Sequence, residues 1–265
     1  MTGIDELLHI ATDIASEAAL LIRERRRVGV DVAASKSSAE DIVTLADRES
    51  ERLIRDRIAA LRPNDGFLGE ETGADRGTSG LTWVVDPIDG TVNYLYDFPA
   101  YAVSIGVVDG EPDPATWTAL AAAVVNPVLD ETYNAARGMG AHLNGRLLSV
   151  NRDVQPQLAL LGTGFSYSAS RRVGQAAVLG GLLGTFRDVR RAGSAALDLC
   201  NVASGRLDAY FESGLHPWDQ AAGALIAAEA GAKVGGRGGG PATQDLVIAA
   251  DESLYDVLEG MLAGL

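Results

Sequence analysis

Two aspartates stand three residues apart at the end of the apolar run Trp83-Val84-Val85-Asp86-Pro87-Ile88-Asp89-Gly90-Thr91. An apolar run of this kind reads as a buried strand, which fixes the first carboxylate at its end. Pro87 sets φ at about −65° between the two aspartates, so that both can converge on one point. Gly90 lets a second backbone approach closely, and the amides opening the next segment are suited to an anion. Carboxylates beside an anion cradle repel the anion unless a cation lies between them. Mg²⁺ held by the aspartates and shared with a substrate phosphate resolves the conflict. A plain Asp-Gly turn is the bland alternative for the same nine residues.

A third carboxylate of interest lies in His216-Pro217-Trp218-Asp219-Gln220-Ala221-Ala222-Gly223. Pro217 is suited to begin a helix, and Asp219 then falls in its first turn. There it either compensates the helix dipole or points outward as a metal ligand. Asp47 stands in the same relation to a helix capped by Thr44, with dipole compensation as its ordinary role. Glu70 and Glu71 form a pair that by itself reads as solvated. The histidines His9, His142 and His216 are scattered, which argues against a histidine-based zinc site or a Ser-His-Asp triad. Cys200, the only cysteine, excludes a disulfide within this sequence and reads as a buried core thiol.

The elements that must position these groups follow from periodicity. Apolar residues from Ile4 to Ile22 recur at helical spacing, predicting an amphipathic helix over 3–27 that ends in Arg23-Glu24-Arg25-Arg26-Arg27. Arginines in a last turn complement the dipole, so the run needs no nucleic acid. A polar loop or hairpin over 35–41 leads to a second helix, capped by Thr44 and ended before Pro63. Phe67–Thr72 reads as a short strand running into a loop, and 73–80 as a turn or mobile loop. Strands follow at 81–85, 101–108, 117–125 and 131–136, with shorter ones through Val150, giving helices on an antiparallel or mixed sheet.

From residue 158 strands and helices alternate: strands at 158–162, 186–190, 207–212 and 246–250, helices at 169–183, 194–203 and 217–231, and a final helix from Glu252. The expected organisation is thus two subdomains, 1–150 and 151–265. The run Gly235-Gly236-Arg237-Gly238-Gly239-Gly240-Pro241 lacks the Lys-Ser/Thr of a phosphate loop and reads as a flexible turn.

A formal net charge of −14 argues against a nucleic-acid partner, whose backbone demands dense Lys and Arg. With 47% hydrophobic and 22% charged residues the composition is that of an ordinary globular chain. No apolar stretch approaches the roughly 18 residues of a membrane span. The acidic N-terminus lacks the basic region of a signal peptide, so the expected location is cytoplasmic, without a membrane partner.

Taken together, Gly69-Glu70-Glu71, Asp86-Pro87-Ile88-Asp89-Gly90-Thr91 and Trp218-Asp219 with Ala221-Ala222-Gly223 resemble the inositol monophosphatase family of Mg²⁺-dependent, lithium-sensitive phosphatases. Lys36 through Asp47, with Asp41, Thr44 and Asp47, adds a fourth match, and Gly193-Ser194-Ala195-Ala196 with Glu212 a fifth. The resemblance implies an α+β, α/β fold: a layered α-β-α-β-α sandwich of the sugar-phosphatase type. It implies two or three Mg²⁺ per active site, held by Glu70, Asp86, the Ile88 carbonyl, Asp89 and Asp219. It gives Asp47 and Thr91 the orientation of the attacking water, with Glu70 assisting, and the Gly90 and Thr91 amides the phosphate. Asp89, Gly193, Ser194, Ala195, Glu212 and Asp219 would meet the substrate's alcohol.

Asn93-Tyr94-Leu95, Phe98-Pro99 and Ala102 to Gly106 resemble the inositol phosphatase branch, so the implied substrate is myo-inositol monophosphate and the implied assembly a homodimer. Ser194, where many relatives carry Thr, Gln220 and the glycine-rich run depart from the pattern. Two other readings accompany this one: a broader sugar phosphatase that takes fructose-1,6-bisphosphate, and a regulatory protein-binding role.

Overall fold

In the computed structural model, α1 (Ile4–Val28) carries the expected apolar face, burying Leu7, Ala11, Ile14, Ala15, Ala18 and Ile22. Its last-turn arginines are taken up by ion pairs, Arg25 with Glu49 (2.5 Å) and Arg26 with Asp97 (3.3 Å). The structure describes residues 3–30, 32–35 and 42–264; Lys36 and Asp41, two of the residues that carry the family resemblance, lie outside them. β1 (Val32–Ser35) pairs antiparallel with β2 (Ile42–Thr44), which leads directly into α2 (Leu45–Leu61).

Eight strands form the first sheet: β3 (Gly66–Gly69), β4 (Gly73–Asp75), β5 (Leu81–Asp89), β6 (Ala102–Asp109), β7 (Thr118–Asn126), β8 (Glu131–Ala136), β9 (Ala141–Leu143) and β10 (Arg146–Leu147). Their order is β10-β9-β8-β7-β6-β5-β3-β4, and α3 (Thr91–Tyr96) lies between β5 and β6 in the chain. Only β3 and β5 pair in parallel in this mixed sheet.

The second sheet holds β11 (Leu160–Thr163), β12 (Asp188–Arg190), β13 (Ala209–Glu212), β14 (Lys233–Gly235) and β15 (Val247–Ala250), in the order β12-β11-β13-β15-β14. Its helices are α4 (Ala169–Leu182), α5 (Ala195–Ala203), α6 (Pro217–Glu229) and α7 (Glu252–Ala263).

The layers follow from which faces are apolar. α1 and α2 cover one face of the first sheet, burying Trp83, Val85, Val103 and Ile105 among their own apolar residues. α5 and α6 fill the space between the sheets, where Leu199, Val202 and Ile226 meet Val124 and Tyr133 on one side and Tyr210 and Ala249 on the other. Leu182 of α4 and Leu254 and Leu258 of α7 close the far face over Leu161, Phe211 and Ile248. The result is the expected α-β-α-β-α sandwich. Cys200 is buried in the central layer, as expected.

Four local expectations are corrected. The 73–80 segment contributes β4, which pairs with β3. β5 continues past Val85 to Asp89, accommodating Pro87 through a register shift between Asp86 and Asp89, where the missing N–H interrupts no ladder. The strand expected from Leu158 begins at Leu160, because Pro156–Leu158 form a 3₁₀ turn. The glycine-rich run is not merely a flexible turn: it starts in β14 and closes as a turn with Gly236 N–H donating to the Gly240 carbonyl at 2.8 Å.

Candidate active site

The parallel register of β3 on β5 pairs Gly69 with Val85 and continues as Glu70 N–H donating to the Val85 carbonyl at 3.2 Å. Glu70 is therefore carried to the level of Asp86, the next residue of β5. Asp86 is buried and accepts from Ile88 N–H at 3.0 Å. Three residues on, past the bulge, buried Asp89 accepts from Ser194 Oγ (2.5 Å) and Ala196 N–H (2.8 Å) with the same oxygen. One carboxylate of the first sheet thus caps the start of α5. Gly90 follows with φ +93°, and a Cβ there would lie 2.9 Å from the Ala100 carbonyl and 3.2 Å from that of Gly193. That crowding, more than flexibility, requires glycine here, and it brings Gly193, Ser194 and Ala195 beside Gly90 and Thr91.

Asp47 divides its two oxygens between the cap of α2 and Thr91. One oxygen, Oδ2, accepts from Thr44 N–H (2.8 Å) and Thr44 Oγ1 (2.5 Å), closing a capping box at the start of α2. The other, Oδ1, lies 3.2 Å from Thr91 Oγ1, which is also 3.1 Å from the Ile88 carbonyl. The hydroxyl has one hydrogen for these two acceptors. Burial pushes the Asp47 carboxyl up to about 7, with Thr44's hydrogen bonds opposing and Glu70 and Glu71 adding to the rise.

Asp219 reaches the same region from the second half of the chain. α6 lies directly on β6: a Cβ at Gly106 would sit 2.9 Å from that of Ala221, and one at Gly223 2.8 Å from Leu199 Cβ. Small residues therefore set the depth at which the start of α6 meets the sheet. Asp219 accepts from His216 N–H at 2.6 Å, which caps α6, and the charges of Glu70 and Asp89 act on it. Glu212, at the end of β13, accepts from Tyr210 Oη at 2.6 Å and is pushed up to about 7 by burial, against the pull of Arg191.

The charges tie these groups together. Burial raises Asp86 well above the carboxylate range, and Glu70, Asp89 and Asp219 raise it further. Asp219 is raised by burial, then by Glu70 and Asp89. Asp89 rises only to about 6, because the Ser194 and Ala196 donors oppose its burial. Among the described residues no three such side chains already stand at ligating positions. Asp86, Asp89 and Asp219 each accept from a protein donor through one oxygen. Carboxylates that raise one another, with the Ile88 carbonyl beside them, are the donor set of a hard divalent cation, and Mg²⁺ fits it.

Several residues of this region have no site role assigned from the sequence. Buried Glu51 accepts from Glu71 N–H at 2.9 Å and from Thr72 Oγ1 at 2.5 Å, holding the turn that carries Glu70. Gly69 makes room for it, since a Cβ there would lie 2.4 Å from Glu51 Oε2. Ser50 Oγ donates to the Pro87 carbonyl at 3.1 Å. Asn93 Nδ2 bridges the halves, donating to the Ala100 (2.6 Å) and Ala192 (2.8 Å) carbonyls. The available signal was position: Ser50 and Glu51 lie three and four residues after Asp47, on one face of α2.

The fold is that of the sugar-phosphatase sandwiches, and the enzyme class is a phosphatase. More narrowly, the chain belongs to the inositol monophosphatase family, whose model matches residues 4–262. It is 46% identical to the inositol-1-monophosphatase of Mycobacterium leprae, over 96% of this chain and 92% of that one. It is 39% identical to the Nus factor SuhB of Escherichia coli K12, over 88% and 86% of the two chains. The solved structure of Mycobacterium tuberculosis SuhB superposes with a TM-score of 0.83 at 45% identity, covering 99% of this chain and 97% of that one. No helix among the described residues is long and apolar enough to cross a membrane.

Proposed function

We propose that the chain is a Mg²⁺-dependent phosphomonoesterase that hydrolyses myo-inositol monophosphate to myo-inositol and phosphate. The observation that carries this reading is the pair of buried carboxylates at the end of β5, Asp86 and Asp89, beside the 3.2 Å contact of Asp47 with Thr91. Glu70, Asp86, Asp89 and the Ile88 carbonyl would hold one Mg²⁺, and Asp219 with Asp86 and Asp89 a second. Bound Mg²⁺ supplies the positive charge that offsets these carboxylates and favours phosphate and an ionising water.

The chain's own groups account for the rest. The Gly90 and Thr91 amides, at the start of α3, donate to phosphate oxygens. Thr91 Oγ1, held near Asp47 Oδ1 and the Ile88 carbonyl, orients the attacking water, and Asp47 Oδ1 takes its proton. The water oxygen bonds to phosphorus as the ester P–O bond breaks, and the departing alkoxide takes a proton from solvent. Ser194, Ala195, Glu212 and Asp219 face the alcohol.

A phosphate-release panel with and without Mg²⁺ tests this, across myo-inositol 1-phosphate, fructose-1,6-bisphosphate, histidinol phosphate and 3′-phosphoadenosine 5′-phosphate. Mg²⁺-dependent release that is fastest from the inositol phosphate is the expected result; none from it while another ester is cleaved refutes the substrate. Turnover should fall at millimolar lithium, and unchanged rates there would count against the metal reading. A broader sugar phosphatase is the second reading, favoured by the cavity beyond Glu212 described below. A regulatory protein contact rests on the relative named Nus factor; if it is the main role, a variant without turnover keeps it.

A further inference from the structure

β11 and β13 run in parallel, and beyond their C-terminal ends, at Thr163 and Glu212, lies a cavity of about 450 Å³. Crevices beyond the carboxyl ends of parallel strands are where α/β sheets take ligands, and the volume falls within the ordinary range of small-molecule sites. Its floor is apolar, with Phe211, Leu246 and Leu262 all buried. Its lining carries two cations, Arg171 from the first turn of α4 and Arg237 from the glycine-rich turn, and, besides Glu212, one further carboxylate, Asp245. Neither guanidinium has a hydrogen bond or ion pair among the described residues.

The helix over the cavity is held in an unusual way. Leu182 is the only fully buried residue of α4. At its middle Gln175 forms a polar strap instead, accepting from Ser166 N–H (2.8 Å) and donating to the Ser213 carbonyl (3.1 Å) and Oγ (3.2 Å). α4 therefore spans a hollow rather than packing into one.

Glu212 joins this hollow to the carboxylate site. It lines the cavity, and its charge acts on Asp219 while Asp89 acts on it in turn. Its carboxylate lies over Gly164, where a Cβ would fall 1.9 Å from Oε2, so no side chain of Gly164 separates it from the cavity. A substrate whose scissile phosphate sits at Asp86 and Asp89 and whose alcohol reaches Glu212 has this space beyond it. In a chain of net charge −14, two unpaired arginines above an apolar floor select for an anion, because the planar guanidinium matches phosphate and a dry floor strengthens the pairing.

We propose that the cavity takes a second phosphate carried at the far end of the substrate's alcohol, with Arg171 and Arg237 as its ligands. The inference rests on the phosphatase reading above and adds a specificity site to it. The second phosphate is held and not cleaved; the bond changes at the first are those already given. Both arginines are exposed, so their substitution spares the core.

The test is a matched pair of substrates, fructose 1-phosphate and fructose-1,6-bisphosphate, with wild type and Arg171→Ala/Arg237→Ala. In wild type the bisphosphate is expected to have a kcat/KM higher by about tenfold or more, the size of effect charge-assisted hydrogen bonds supply. The double variant should lose that advantage through KM while its kcat/KM for fructose 1-phosphate stays within about twofold. Arg171→Lys/Arg237→Lys should restore part of it. Equal rates for the two substrates in wild type, or an equal fall on both in the variant, overturn the second-phosphate site and leave the phosphatase reading standing. If wild type hydrolyses neither these nor myo-inositol 1-phosphate, the phosphatase reading fails and the site fails with it.

Discussion

Asp47→Asn separates the cap that the structure shows from the general-base role proposed for the same carboxylate. The Asn carbonyl oxygen can accept from Thr44 N–H and Thr44 Oγ1, as Oδ2 does now at 2.8 and 2.5 Å. The capping box then survives, and the stability change should stay within about 1 kcal/mol, the usual worth of a cap. In thermal unfolding that is a shift of at most a few degrees, about 2–4 °C for a chain of this size class. The amide nitrogen, however, replaces Oδ1 at 3.2 Å from Thr91 Oγ1. An amide N–H takes no proton, and it turns the threonine hydroxyl into an acceptor whose own hydrogen must go to the Ile88 carbonyl. Loss of a general base costs about 10²–10⁴-fold in rate. Phosphate release from myo-inositol 1-phosphate under saturating Mg²⁺ should therefore fall in kcat by that factor, with KM little changed. A variant with more than a tenth of wild-type kcat would show that Asp47 only caps α2. A variant that melts far lower would show that the cap does not tolerate the amide.

Asp89→Asn should abolish most turnover while the protein stays folded, because one amide oxygen still accepts from Ser194 and Ala196; near wild-type kcat would refute the metal assignment. Gly69→Ala places a Cβ 2.4 Å from Glu51 Oε2 and should displace the Glu70 turn. A several-fold rise in the Mg²⁺ concentration giving half-maximal rate is expected, and an unchanged metal titration would show that Glu51 does not position Glu70. Glu212 has a folded value near 7 against an ordinary 4.5, so its contribution to stability is complete below 4.5 and is lost as pH rises through about 7. By linkage the loss amounts to up to about 3 kcal/mol. Metal-free Glu212→Gln should therefore gain in melting temperature relative to wild type between pH 5 and 8, and a constant difference across that window would refute the raised value.

The legible parts of the fold were those where one physical signal dominated. α1 was readable because its apolar stripe runs for about five turns, and α2 because Thr44 and Pro63 bracket it. β5 was legible as a strand but not in its extent. Pro87 looks like a terminator, and only the bulge against β6 shows how the strand continues through it. β4 and β14 were missed because each has three residues, too few for periodicity, and draws its stability from pairing with a neighbour far along the chain or across a turn. At the site, the acidic residues stood out by type and spacing. Glu51 did not, since a glutamate in a helix reads as solvated until the strand turn it holds is in place.

The carboxylate of Asp89, proposed above as a metal ligand, also joins the two sheets. Asp89 ends β5 of the first sheet, and its Oδ2 receives both donors that open α5 in the layer between the sheets. Beside it the Gly90 backbone passes within a Cβ's reach of the Gly193 carbonyl, and Asn93 ties Ala100 to Ala192. Asp219 arrives by a different route, on a helix that packs through Gly106 against β6. Drawing Asp86, Asp89 and Asp219 around a cation therefore pulls on three separate contacts between the halves of the chain. Any free energy the cation gains from those ligands is also spent against separating the halves, so metal affinity and cohesion of the fold rise together. Before a cation arrives, mutual repulsion among Glu70, Asp86, Asp89 and Asp219 is borne by Ser194, Ala196 and His216.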